Sequence, residues 1–137
     1  MVYIVKNDLV TFAHERLINE SCETETTLDE IEIIQIGIVK SYLGTRYNVN
    51  QIFSEPIKND VLVSIIARMT LYRLFKRNAT RKVPSDAKDD YEAAMKELTD
   101  ISTGKIKLSD LPVAIDGQGN PVSNSIWGNN RNPNFYI

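Results

Sequence analysis

Between Ile57 and Lys76 the chain places apolar side chains on nearly every face a helix would present, and this one stretch limits the folds open to it. Val61, Leu62, Ile65, Ile66, Met69, Tyr72, Leu74 and Phe75 cover most of the wheel, leaving a narrow polar strip with Asp60, Ser64 and Arg68. A helix that is apolar nearly all round must be buried nearly all round. The stretch therefore predicts a central rod against which the other elements pack. Pro56 suits its first turn, where the amide that proline lacks would have no partner anyway.

Three further helices are predicted around this rod. Residues 7–19 carry Leu9, Phe12, Ala13 and Leu17 on one helical face, with Asn7 or Asp8 placed to cap its start. Thr27-Leu28-Asp29-Glu30 fits a capping box, in which Glu30 reaches back to the amide of Thr27. The run that follows, with Ile31, Ile33, Ile34, Ile36, Ile38 and Val39, is β-branched and open to a reading as a buried strand. The cap, a stripe of Leu28, Ile31, Ile34 or Gln35, Ile38 and Tyr42, and a length beyond most strands favour a helix that stops near Gly44. Thr45 to Ser54 reads as a connector. Pro84-Ser85-Asp86 opens the last helix, which turns Tyr91, Ala94, Met95, Leu98 and Ile101 inward and ends at Gly104, where a left-handed residue is wanted. The expected fold is all-α, a four-helix connector-type bundle over residues 1–108.

Residues 109–137 differ in character and read as a turn-rich, extended C-terminal arm. Leu111-Pro112 breaks any helix, and Asp116-Gly117-Gln118-Gly119-Asn120-Pro121 could form the tip of a small hairpin between 113–115 and Val122. Ser123 to Ile137 is rich in Asn, Gly, Ser and Pro, yet it holds Trp127, Phe135, Tyr136 and Ile137. Large apolar side chains in such a tail suggest an arm that becomes ordered on another chain. Folding back onto its own helices is the other reading.

Candidate chemistry is sparse. One histidine (His14) and one cysteine (Cys22) supply neither a disulfide nor a four-ligand zinc site. A Cys22–His14 nucleophile pair would have nothing to orient it. The carboxylates Glu23, Glu25, Asp29, Glu30 and Glu32 sit in a charge run, which reads as a solvated face rather than as an acid/base pair in contrasting surroundings. Gly117 and Gly119 do not precede a helix, as a phosphate-cradling loop must. No catalytic, metal or cofactor site is expected, and no enzymatic activity. The apolar run from Met1 ends at Lys6-Asn7-Asp8, and no window approaches the roughly 18 apolar residues of a membrane span, so a soluble chain made in a cytoplasm is expected.

The formal net charge is only −2, but charge is segregated along the chain. From Val61 to Ser85 there are Arg68, Arg73, Lys76, Arg77, Arg81 and Lys82 and no acid. From Glu20 to Glu32 there are Glu20, Glu23, Glu25, Asp29, Glu30 and Glu32 and no base. Each sign lies at the helix end that the peptide dipoles favour, and antiparallel packing would bring the two together. The basic run could grip nucleic acid, could be a solvated end, or could meet the acidic patch of a neighbouring copy.

Several segments carry a family resemblance: Lys40-Ser41-Tyr42-Leu43-Gly44-Thr45-Arg46-Tyr47, the helix with Ile66-Ala67-Arg68-Met69-Thr70-Leu71-Tyr72-Arg73-Leu74, and Tyr91-Glu92-Ala93-Ala94-Met95-Lys96-Glu97-Leu98 followed by Gly104-Lys105-Ile106-Lys107-Leu108. In this order they resemble the small Mu-like phage and prophage structural proteins, and the wider group of phage head–tail connector (adaptor) proteins, over residues 1 to about 112. The resemblance implies a virion protein at the head–tail junction, made in the host bacterial cytoplasm, that forms a ring of about twelve copies beneath the portal. Its implied partners are further copies of itself, the portal protein, other tail or connector proteins, and DNA passing through the lumen without sequence recognition; no membrane is involved. The interface residues this suggests are Trp127, Phe135, Tyr136 and Ile137 of the arm, the bases Arg73, Lys76, Arg77, Arg81 and Lys82, and the acids Glu23, Glu25 and Asp29. The rival reading is a small helical nucleic-acid-binding or regulatory module that uses the 68–82 basic run.

Overall fold

A computed structural model of the chain describes residues 1–22, 24–77 and 83–114. Among these it is mostly helical, as expected for an all-α fold, and contains α1 (Lys6–Val10), α2 (Glu15–Ser21), α3 (Glu25–Leu43), α4 (Val49–Ser54), α5 (Asp60–Arg77) and α6 (Ser85–Thr103). Six helices thus stand where four were expected. The two extra ones arise from a break in the first segment and from a short helix in the connector.

α5 is the central element, packing against α1, α2, α3 and α6. Leu62, Ile65, Ile66, Met69 and Leu74 are fully buried, and truncating any one of them to alanine would cost about 2–5 kcal/mol. The polar strip expected on this helix is partly wrong, because Arg68 is buried while Val61 is exposed. Pro56 does not lead the helix either. It lies in the turn after α4, and Asn59 is the cap: its Oδ1 accepts from the amides of Val61 (3.0 Å) and Leu62 (3.2 Å). Asn48 caps α4 in the same way, accepting from the Gln51 amide at 3.2 Å.

The first predicted helix is interrupted at Thr11–His14, where Phe12 and Ala13 both donate their amides to the Leu9 carbonyl. α1 starts before the expected caps, and Asp8, in its first turn, accepts from the Val5 amide at 2.8 Å. His14 restarts the chain as the cap of α2, its Nδ1 accepting from the Arg16 amide at 3.2 Å.

α3 is helical throughout, which settles the strand alternative. It begins at Glu25, so Thr27 lies inside the helix and the expected capping box does not form. The buried face is Leu28, Ile31, Glu32, Gln35, Ile36, Val39 and Leu43. The expected stripe lies on this face, with Leu28, Ile31 and Gln35 buried and Ile38 and Tyr42 half-buried. Gln35 is its inward member and not Ile34, and Ile33 and Ile34 are 57% and 55% exposed.

Past α6 the chain returns to the body. Gly104, at φ +88°, ends the helix in the left-handed conformation predicted for it. Leu108 and Leu111 are buried, and Val113 forms an antiparallel bridge with Tyr47. Among the described residues, packing therefore continues past Leu108. Val122, the other side of the expected hairpin, lies outside the described residues. No described helix is long and apolar enough to cross a membrane.

Candidate interaction surface

Two buried polar anchors hold the surface elements in place. Glu32, read from sequence as part of a solvated charge run, is fully buried. Its carboxylate accepts from the amides of Val2 (2.8 Å), Tyr3 (2.7 Å) and Ile4 (2.8 Å), satisfying an N-terminal segment that has no strand partner among the described residues. Arg68 is the second anchor. It donates to Glu97 at 2.6 Å and to the Ser64 carbonyl at 3.1 Å, tying α5 to α6. The stacked rings of Tyr72 and Tyr91, 4.2 Å between centroids, extend the same seam. Arg68 thus leaves the group of bases available to a partner.

The exposed bases lie further along α5. Arg73, Lys76 and Arg77, on its last turns, form one wall of an open cleft of about 420 Å³. The opposite wall is the start of α3, with Thr27, Glu30, Ile31 and Ile34. The acidic start of α3 and the basic end of α5 do adjoin, as antiparallel packing predicted, but within one chain. Arg73 and Arg77 make no hydrogen bond or ion pair among the described residues. The Lys76 ammonium lies 5.7 Å from the centre of the Tyr72 ring. Beside them, Ile34 exposes its side chain, and the site of a Cβ on Gly37 would meet only open space.

Asp29 and Glu25, two of the acids singled out from sequence, line a different cleft from this one. Asp29 accepts from the Met1 amino group at 2.7 Å, and Glu25 lines a separate cleft with Lys6, Val5 and Leu28. Glu30, one position on, lines the cleft opposite the bases instead. The signal that could have found it is the 100° step between neighbours on a helix, which sends Asp29 and Glu30 to different faces. Glu23, Arg81, Lys82, Trp127, Phe135, Tyr136 and Ile137 lie outside the described residues.

The remaining chemistry-bearing side chains serve the fold. The Cys22 thiol donates to the Thr24 carbonyl at 2.8 Å. Among the described residues no three of His, Cys, Asp and Glu come together as a metal site would require. The Tyr3 hydroxyl, pushed above its ordinary pKa chiefly by burial, donates to the Ile57 carbonyl and accepts from the Asn59 amide, away from the cleft. The segments that carried the family resemblance meet in space. Arg46 donates to the carbonyls of Ser102 (2.8 Å) and Thr103 (3.0 Å), and the Tyr47 hydroxyl accepts from the Leu108 amide at 2.9 Å.

Among known families, the sequence matches the one described as Bacteriophage Mu, Gp36 over residues 3–114. No curated protein and no solved structure matches it. The match ends at Ala114, whose amide donates to the Arg46 carbonyl at 3.0 Å.

Proposed function

The chain belongs to the bacteriophage Mu Gp36 family, and from that premise we propose that it is a non-enzymatic virion protein of the head–tail junction. In this reading copies of the chain, made in the host cytoplasm, form a ring beneath the portal. The ring contacts the portal and other tail or connector proteins, and DNA passes through it without being read.

The observation that carries the reading is the cleft between α3 and α5. Its two arginines have no partner among the described residues, and they stand beside an exposed isoleucine. Unpaired bases bordering exposed aliphatic surface match the polar rim and apolar centre of a protein interface, which supports a protein occupant. The resemblance-bearing residues Arg46, Tyr47 and Gly104 support the same view, because they brace the bundle. The test is genetic complementation. Phage lacking the chain should yield filled heads unjoined to tails, and wild-type chain supplied in trans should restore joined particles that contain it. Joined, infectious particles in its absence would exclude the reading.

A second reading, a nucleic-acid-binding module, draws on the same three bases. It requires duplex affinity that falls steeply with salt, since phosphate contacts release counterions. Glu30 and Ile34 within the same cleft favour a protein occupant over a phosphate backbone.

A further inference from the structure

The complement to the basic cleft lies on α6 of the same protein. α5 and α6 run antiparallel, as the Arg68–Glu97 ion pair and the Tyr72–Tyr91 stack register them. That register sets the first half of α6 level with the last turns of α5. On its outer side α6 exposes Asp89, Glu92, Ala93 and Lys96, spaced i, i+3, i+4 and i+7 on one stripe. Asp89 and Glu92 make no hydrogen bond or ion pair among the described residues. The cleft holds bases on its α5 wall and Ile34 with Glu30 on its α3 wall; the stripe offers acids, a small apolar residue and a base.

We propose that the occupant of the α3/α5 cleft is the outer face of α6 from a second copy of this chain, with Asp89 and Glu92 meeting Arg73 and Arg77, Ala93 covering Ile34, and Lys96 meeting Glu30. The inference rests on the ring reading and assigns its interface. The two faces are different surfaces of one molecule, so the contact is head-to-tail and repeats from copy to copy. They lie at the same end of the bundle on different sides of it, so each contact rotates the next copy, and the series forms a ring where that rotation closes. The acids first considered for this role, at the start of α3, are not needed, since Asp29 is engaged by Met1.

The test uses two charge-reversed chains, R73E/R77E and D89K/E92K, followed by sedimentation velocity. The wild-type chain should form a discrete oligomer at low salt that dissociates as sodium chloride approaches 1 M, where charges beyond about 3 Å are screened. Each reversed chain alone meets like charge with like and should sediment as a monomer. An equimolar mixture restores opposite signs at every contact and should recover the oligomer. Wild-type chain that stays monomeric at every concentration, or a mixture that fails to reassemble, overturns the proposal. So does a 30-base-pair duplex bound by the wild type and released by R73E/R77E without self-association, which would assign the cleft to phosphate. An oligomer that persists in both reversed chains also overturns this interface but leaves the ring reading standing. Joined particles that lack the chain end the ring reading itself.

Discussion

The Arg46 guanidinium lies over Gly104, 2.7 Å from where a Cβ would stand, while it donates to the two carbonyls that precede that glycine. Gly104 is also at φ +88°, a conformation that costs a side-chain-bearing residue about 1–2 kcal/mol. Gly104→Ala should therefore destabilise the fold by about 1–3 kcal/mol in urea unfolding, from backbone strain together with displacement of the guanidinium. In a double-mutant cycle with Arg46→Ala the two losses should not add, because the second substitution removes the group that the first one displaces. Strict additivity would mean the two residues act independently.

Glu32 provides a second test. Glu32→Ala leaves the buried amides of Tyr3 and Ile4 without an acceptor and should cost about 2–5 kcal/mol. The loss should be local at first: amide exchange at Val2, Tyr3 and Ile4 should accelerate before exchange in α5. Glu32→Gln retains one acceptor oxygen and should fall between alanine and wild type. Equal protection of these amides in all three chains would contradict the role assigned to the carboxylate.

Tyr3 makes an alkaline prediction. Burial raises its pKa above the ordinary value of 10.0, against a smaller lowering by the hydrogen bond from Asn59. The unfolded chain then loses this proton first as pH rises. The stability tied to Tyr3 is complete below about pH 10 and is lost as pH climbs through the folded-state value. Tyr3→Phe should cost about 1 kcal/mol at neutral pH, and its difference from wild type should shrink between pH 10 and 12. A difference that stays constant over that range would count against a buried, neutral hydroxyl.

What could be read from the sequence follows from how each signal arises. α5 was legible because its apolar residues cover most of the wheel, and the end of α6 because a glycine stands where a left-handed residue is needed. The break between α1 and α2 was hidden, since Phe12, Ala13 and Leu17 keep helical spacing across the turn. The face of α3 was legible except for the choice between Ile34 and Gln35, because Ile31, Ile33, Ile34, Ile36 and Ile38 supply aliphatic residues on several sides. In such a run the buried Glu32 and Gln35 mark the inward side, and the partners of Glu32 come from the distant N-terminus. The bases of the cleft were identified from sequence, but sorting Arg68 from Arg73 and Arg77 required Glu97, which is remote in the chain.

Arg73 and Arg77 should behave unlike all of these positions. Both are exposed, so replacing them with Ser should change stability by no more than about 0.5 kcal/mol. The replacements should nevertheless reduce recovery of the chain in purified particles to near background. A stable, normally incorporated R73S/R77S chain would show that the cleft is not used in assembly.

A reconstruction of the head–tail junction from purified virions offers the plainest decision. It should contain a closed ring of helical subunits below the portal, each fitted by the α3–α5–α6 bundle, with the cleft of every copy filled by its neighbour. A junction built wholly from other chains, with no density for this bundle between portal and tail, would contradict the assignment.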